Sequence, residues 1–121
     1  MHKIYFGVGI DDSMFDSFDE IVIERNFLTF YDVKKMIKDG VTSCCDNSHL
    51  AKINALKQRF GIDVSIADTD NMISLGYGDS IIVMKVRGLP RLTDREYTEE
   101  EIADAEFSFS LYTIVSFAIV P

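Results

Sequence analysis

The sequence predicts a single small α/β domain with a mixed, mostly five-stranded β-sheet and helices packed on it, and three observations predict it. The 121 residues are 47% hydrophobic, enough for one core at the usual size of one domain. Apolar residues recur with period two in some segments and at helical spacing in others. These segments follow one another as β-β-α-α-β-β-α-β, an order that gives a mixed sheet with helices on it.

Lys3 to Ile10 sets Ile4, Phe6, Val8 and Ile10 on one side and Tyr5, Gly7 and Gly9 on the other, the signature of a first strand. Asp11-Asp12-Ser13 breaks it, Met14-Phe15 with Phe18 fits one short helical turn, and Glu20 to Glu24 reads as a second strand. Thr29 has Asp32 in the capping-box position, with Phe30, Val33 and Ile37 at helical spacing and Gly40 as the stop. A second helix runs from about Asn47 or Ser48 to Phe60, its stripe formed by Leu50, Ile53, Leu56 and Phe60 and its end by Gly61. Ile62, Val64 and Ile66 alternate as a third strand. The near-continuous apolar run Ile81-Ile82-Val83-Met84 places Ser80 to Val86 in the sheet interior. Thr98 with Glu101 forms another capping box, and Phe107, Phe109 and Leu111 begin a long last strand whose alternation changes phase near Thr113, the mark of a bulge.

Several function classes drop out on composition. The tract Leu111 to Val120 is too short for a membrane span and carries Thr113 and Ser116. Met1-His2-Lys3 leads into no long apolar segment or cleavage site, so nothing marks the chain for export. Cys44 and Cys45 are adjacent, a spacing that suits neither a zinc half-site nor a disulfide framework, and they point to buried thiols in a reducing compartment. A net charge of -8 disfavours duplex nucleic acid as a partner. The charge is segregated: Lys85, Arg87, Arg91 and Arg95 stand against Asp94, and beyond Arg95 there is no Lys or Arg, while Glu96, Glu99, Glu100, Glu101, Asp104 and Glu106 follow.

Two places carry chemistry. Asn47-Ser48-His49 opens the strongest helix, where free backbone N–H groups favour an anion and a histidine can donate a proton to a phosphate-ester leaving group. The same residues also fit a polar helix start with a surface histidine. Lys85 to Arg95 lies partly on a Gly-Pro loop where arginine can fork onto phosphate oxygens, and it equally fits a solvated loop that balances the acidic helix after it. Asp68 and Asp70 hint at a cation loop, but Ile73 and Asp79 stand where its glycine and final glutamate belong, so no metal is expected. Gly7-Val8-Gly9 and Gly76-Tyr77-Gly78 lack the context of a nucleotide fingerprint and read as bends.

Read in order, the motifs resemble the viral ring nucleases, small type III anti-CRISPR proteins of archaeal viruses, bacteriophages and prophages. The resemblance runs nearly end to end. It is carried by Ile4-Tyr5-Phe6-Gly7 through Asp11-Asp12-Ser13-Met14-Phe15 to Phe18, by Ser48-His49 ahead of Gly61-Ile62-Asp63-Val64, and by Gly78-Asp79-Ser80, Arg91-Leu92-Thr93-Asp94 and Thr98 to Ile102. It implies a homodimer in the host cytoplasm whose pocket, spanning the dimer interface, encloses a cyclic oligonucleotide second messenger, cyclic tetra-adenylate in that family. It also implies His49 as general acid with Arg91 and Asp94 beside it, and chemistry without a metal. Together with the helix start and the basic stretch, it leads to expected ligand contacts from Asp11, Ser13, Asn47, Ser48, Arg87, Arg91 and Arg95, with no cofactor.

The sequence departs from that pattern at named positions. Ser48 replaces a glycine, Leu50, Ala51 and Lys52 replace small Ser and Thr residues, and Asp94 shortens a glutamate. An Asn-Arg pair gives way to Ile66-Ala67-Asp68, while Val8 and Asp11 stand where Asn and Ser are usual. Losing an arginine and gaining an aspartate weakens the hold on a tetra-anion. The expected function is therefore capture of a cyclic nucleotide messenger by an anti-defence protein, with cleavage at His49 as the runner-up. A third reading, of another class, has the acidic Glu99 to Glu106 tract occlude a basic surface of a host defence protein.

Overall fold

The computed structural model describes residues 2–15, 20–67, 73–89 and 97–118. Along them run β1 (Ile4–Gly7), β2 (Glu20–Leu28), α1 (Phe30–Asp39), β3 (Thr42–Ser43), α2 (Leu50–Phe60), β4 (Ser80–Arg87), α3 (Glu99–Ala103) and β5 (Glu106–Ala118). Short 3-10 turns occupy Asp12–Met14 and Asn47–His49. The strands make one mixed five-stranded sheet in the order β2-β5-β4-β1-β3, with β1 parallel to β3 and β4, and β5 antiparallel to β2 and β4.

The apolar run of β4 follows from burial on both faces. Ile82 and Met84 join Phe6, Phe107 and Phe109 beneath Val33 of α1, Ile53 and Leu56 of α2 and Ile102 of α3. On the opposite face Ile81 packs with Tyr5 and Ile114 under Ile73 and Leu75, with Met14 and Phe15 at the margin. A strand covered on both sides needs no polar alternation. Its interior position, between β5 and β1, agrees with the sequence expectation.

Local signals set the helix limits. Thr29 and Asp32 form the reciprocal capping box of α1, as Thr98 and Glu101 do for α3. Gly61 closes α2 in the left-handed region at φ 67°, which a residue without Cβ adopts freely. The phase change in β5 is a register shift opposite Val22 and Ile23, which leaves Val115 as the extra residue.

Two expectations are corrected. Ile62, Val64 and Ile66 do not form a strand: Ile62 and Val64 are buried, yet the segment joins the sheet region through the Ala67 N–H donating to the Cys45 carbonyl, 2.8 Å. Alternation reports alternating burial, and an extended segment on a core shows it without a ladder. The fifth strand is instead β3, two residues whose pairing with Tyr5 and Phe6 leaves no periodicity to read. The first strand also ends earlier than Ile10, because the backbone bends at Val8 and carries Ile10 into the second core. Gly7 sits where an added Cβ would meet Ile81 Cδ1 at 3.2 Å.

Asp79 locks the start of the central strands. Its buried carboxylate accepts from Lys3 N at 2.8 Å and Gly76 N at 2.9 Å. Gly78 turns there at φ 82° with the His2 ring against its Cα. Gly76-Tyr77-Gly78 is thus a turn, as its context implied.

Candidate functional site

β1 stops at Gly7, opposite Val83, while β4 continues to Arg87, so the last half of β4 has no strand partner on its β1 side. From β1 the chain reaches β3 on one flank and β4 on the other. In open α/β sheets such a reversal, at the carboxyl ends of parallel strands, is where ligands sit.

Two clefts meet there at Val8. One, of about 270 Å³, is formed by Gly7, Val8, Gly9 and Asp11 with Cys44 and Met14. The other, of about 360 Å³, is formed by Val8, Lys52, Val83, Met84, Lys85 and Val86. The first is bordered by Asp11 and Cys44, the second by Lys52, Lys85 and apolar residues of β4. A larger hollow of about 510 Å³ lies over α1, but Tyr31, Lys34, Lys35, Lys38 and Asp39 that bound it all project from one helix, so it is space between side chains.

Asp11 and Ser13 are engaged with each other. The Asp11 carboxylate accepts from Ser13 N at 2.9 Å and from the Ser13 hydroxyl, and so caps the turn Asp12–Met14. Asp46 and Ser48 repeat this arrangement at the approach to α2, with Ser48 N at 3.0 Å from Asp46 Oδ1 and the hydroxyl donating to the same oxygen. Both are short-range turns of aspartate with the residue two positions on. The carboxylate that closes the helix approach is Asp46, which the sequence reading overlooked; the shared Asp-x-Ser spacing was the signal for it. Asn47 and Ser48 are exposed.

His49 is half-buried just before α2, and its Nδ1 is enclosed with no hydrogen-bond partner. Burial lowers its pKa, the Lys52 ammonium lowers it further, and Asp46 works against both. Burial and Lys52 thus favour the neutral imidazole. It lines neither cleft, although Lys52, one turn on, lines the cationic one. Lys52 Nζ also stands over the Tyr97 ring at 5.6 Å. Arg87 ends β4 opposite Glu106, with both residues exposed and outside the clefts. Arg91, Asp94 and Arg95 lie outside the described residues, as do Asp68 and Asp70.

The cysteines are free thiols; burial pushes Cys45 up to about 11 and raises Cys44 as well, so neither is a ready nucleophile at neutral pH. Among the described residues no group of three or more His, Cys, Asp or Glu is arranged to hold a metal ion. None of their helices is long and apolar enough to cross a membrane.

Sequence reading singled out Asp11, Ser13 and the helix approach, but not Lys52, which the packing of α2 brings to the cleft beside the free edge of β4. No protein-family model and no curated protein sequence matches the chain. Among solved structures, B116 of Sulfolobus turreted icosahedral virus matches 92% of this chain and 98% of its own length, at 17% identity and a TM-score of 0.61. The chain therefore shares the fold of a viral protein over nearly its whole length.

Proposed function

We propose that this protein is a viral or prophage anti-defence protein that captures a cyclic oligonucleotide second messenger in a pocket completed by a second copy of the chain. The observation that carries this reading is the cleft at the carboxyl ends of β1 and β4, bordered by Lys52 in a protein of net charge -8 and lying beside the loop and helix approach where the family resemblance puts the ligand. The viral-protein fold supports it.

Capture is favoured over cleavage. Burial and the Lys52 ammonium both shift His49 toward its neutral form, which weakens it as a proton donor. Its enclosed Nδ1 leaves Nε2 as the nitrogen able to face a ligand. The metal-independent ring nuclease, with His49, Arg91 and Asp94 as its catalytic set, is the alternative outcome of the same experiment.

The test is incubation of the protein with a panel of cyclic oligoadenylates and ADP-ribose-type messengers, followed by chromatography of free, bound and heat-released species. Capture returns the intact messenger on denaturation; cleavage returns linear products. If no messenger co-elutes with folded protein, the reading fails and the acidic surface of α3, where Glu100 and Asp104 are exposed, becomes the better candidate for contact with a host protein.

A further inference from the structure

We infer that residues 62–67 are a strap that closes on β3 as a sixth, parallel strand, and that the Ser43 hydroxyl is the catch that holds it open. The device does not depend on messenger capture, because its groups belong to the β3 edge of the sheet.

Strap and strand already stand in register. The Cys44 N–H donates to the Phe6 carbonyl at 2.8 Å, so Thr42 and Cys44 turn their backbone groups to β1, while Ser43 and Cys45 turn theirs outward. On that outer side the Ala67 N–H donates to the Cys45 carbonyl at 2.8 Å. This is one rung of a parallel ladder in which Ser43 faces Val64 and Cys45 faces Ile66. The side chains agree with it: Cys45, Ile62 and Val64 belong to the core under the helices, Val41 and Ile66 pack against that core, and Asp63 and Ser65 are exposed. A slip of one residue would turn each of them to the wrong face. Closing therefore needs only a sideways approach of the backbone, with the apolar side chains of the strap already seated.

Among the described residues that rung stands alone, and the two backbones part below it. Val41 and Ser43 on one side, with Asp63, Val64 and Ser65 on the other, border a cleft of about 270 Å³. In the closed ladder the Ser65 N–H donates to the Ser43 carbonyl, and the Ser65 carbonyl accepts from the Cys45 N–H. The Cys45 N–H donates instead to Ser43 Oγ, at 3.3 Å. A serine hydroxyl two residues back thus competes with the ladder for the same donor. At that length the bond is weaker than a usual backbone rung, so the two arrangements lie close in energy. Cys44 and Ile73 both line the cleft at Gly7 and Asp11, the first directly before Cys45 and the second downstream of Ala67, so the strap joins two parts of that cleft's wall.

The experiment is amide hydrogen exchange followed by NMR on the full chain, in wild type, Ser43→Ala and Ser43→Ala combined with Ser65→Pro, with folding checked by circular dichroism. In wild type the Ser65 amide should exchange faster than that of Ala67 and slower than in an unstructured peptide, as a strap that opens and closes requires. Ser43→Ala releases the Cys45 N–H to the ladder and should slow exchange of the Ser65 amide, and of the amide at position 43, by about five-fold, the scale of one backbone bond. Adding Ser65→Pro removes the donor to the carbonyl at position 43 and should reverse the slowing there. Equal Ser65 exchange in wild type and Ser43→Ala overturns the catch. A wild-type Ser65 amide as slow as Ala67, or as fast as in an unstructured peptide, overturns the strap, and this comparison decides even where Ser43→Ala does not fold.

Discussion

A neutral histidine beside a lysine behaves differently from a solvated one, and His49 makes the difference measurable. Its folded-state pKa lies below the ordinary value near 6.5, so the unfolded chain binds the proton more readily. Stability attributable to His49 is present above about pH 6.5 and is lost as pH falls through its folded-state midpoint. Denaturant midpoints measured down the acid range should drop more steeply in wild type than in His49→Gln; equal slopes would show that its burial has no energetic weight. Asp79 is the second residue whose role can be isolated. It binds Lys3 N and Gly76 N from inside the protein, and Asp79→Ala strands both donors, which should cost about 2 kcal/mol or more in a urea unfolding titration. Its place in a Gly-Asp-Ser motif thus has a structural cause. Lys52 stands where the resembled family has a small hydroxyl residue, and it supplies a cation in a chain that lacks the family's Asn-Arg pair.

Elements formed by short-range chemistry could be read from the sequence, and those formed by distant pairing could not. The Thr29–Asp32 and Thr98–Glu101 boxes and the Gly61 stop each involve residues within a few positions, so their signals survive in sequence alone. β3 exists only because Thr42 and Ser43 meet Tyr5 and Phe6, and two residues carry no period. The segment from Ile62 to Ile66 is the converse case, a clear period without a partner strand. The turns at Asp11 and at the approach to α2 were legible because each is local. The cleft between Lys52 and the free edge of β4 was not, because it depends on how α2 rests beside β4. At the end of α2, Gly61→Ala should lower stability by about 1 kcal/mol from its left-handed backbone. The added Cβ meets only the mobile Lys34 ammonium, at 3.2 Å, so a much larger loss on thermal unfolding would mean that the clash, not the backbone, dominates.

At the scale of the molecule, the helices of the described residues pack on one face of the sheet, and Ile73 and Leu75 with Met14 and Phe15 lie over the other. Phe27 of the edge strand β2 remains 73% exposed on that second face, with Tyr112 and Arg25 beside it in a cation–π contact of 5.9 Å. Lys85 belongs to the same face by register, two strands away. An exposed aromatic residue on a long edge strand is a natural contact for a second copy. If the pocket is completed by a homodimer, Phe27→Asp should shift the protein toward monomer in light scattering and weaken ligand binding with it; a wild-type monomer at high concentration, with and without ligand, would remove the composite pocket. The most direct measurement of messenger capture is calorimetric titration of the full chain with cyclic tetra-adenylate, followed by recovery of the ligand from denatured protein. The predicted result is saturable binding at one ring per two chains with the ring recovered intact, and the contradicting result is no binding of the ring by a protein shown to be folded.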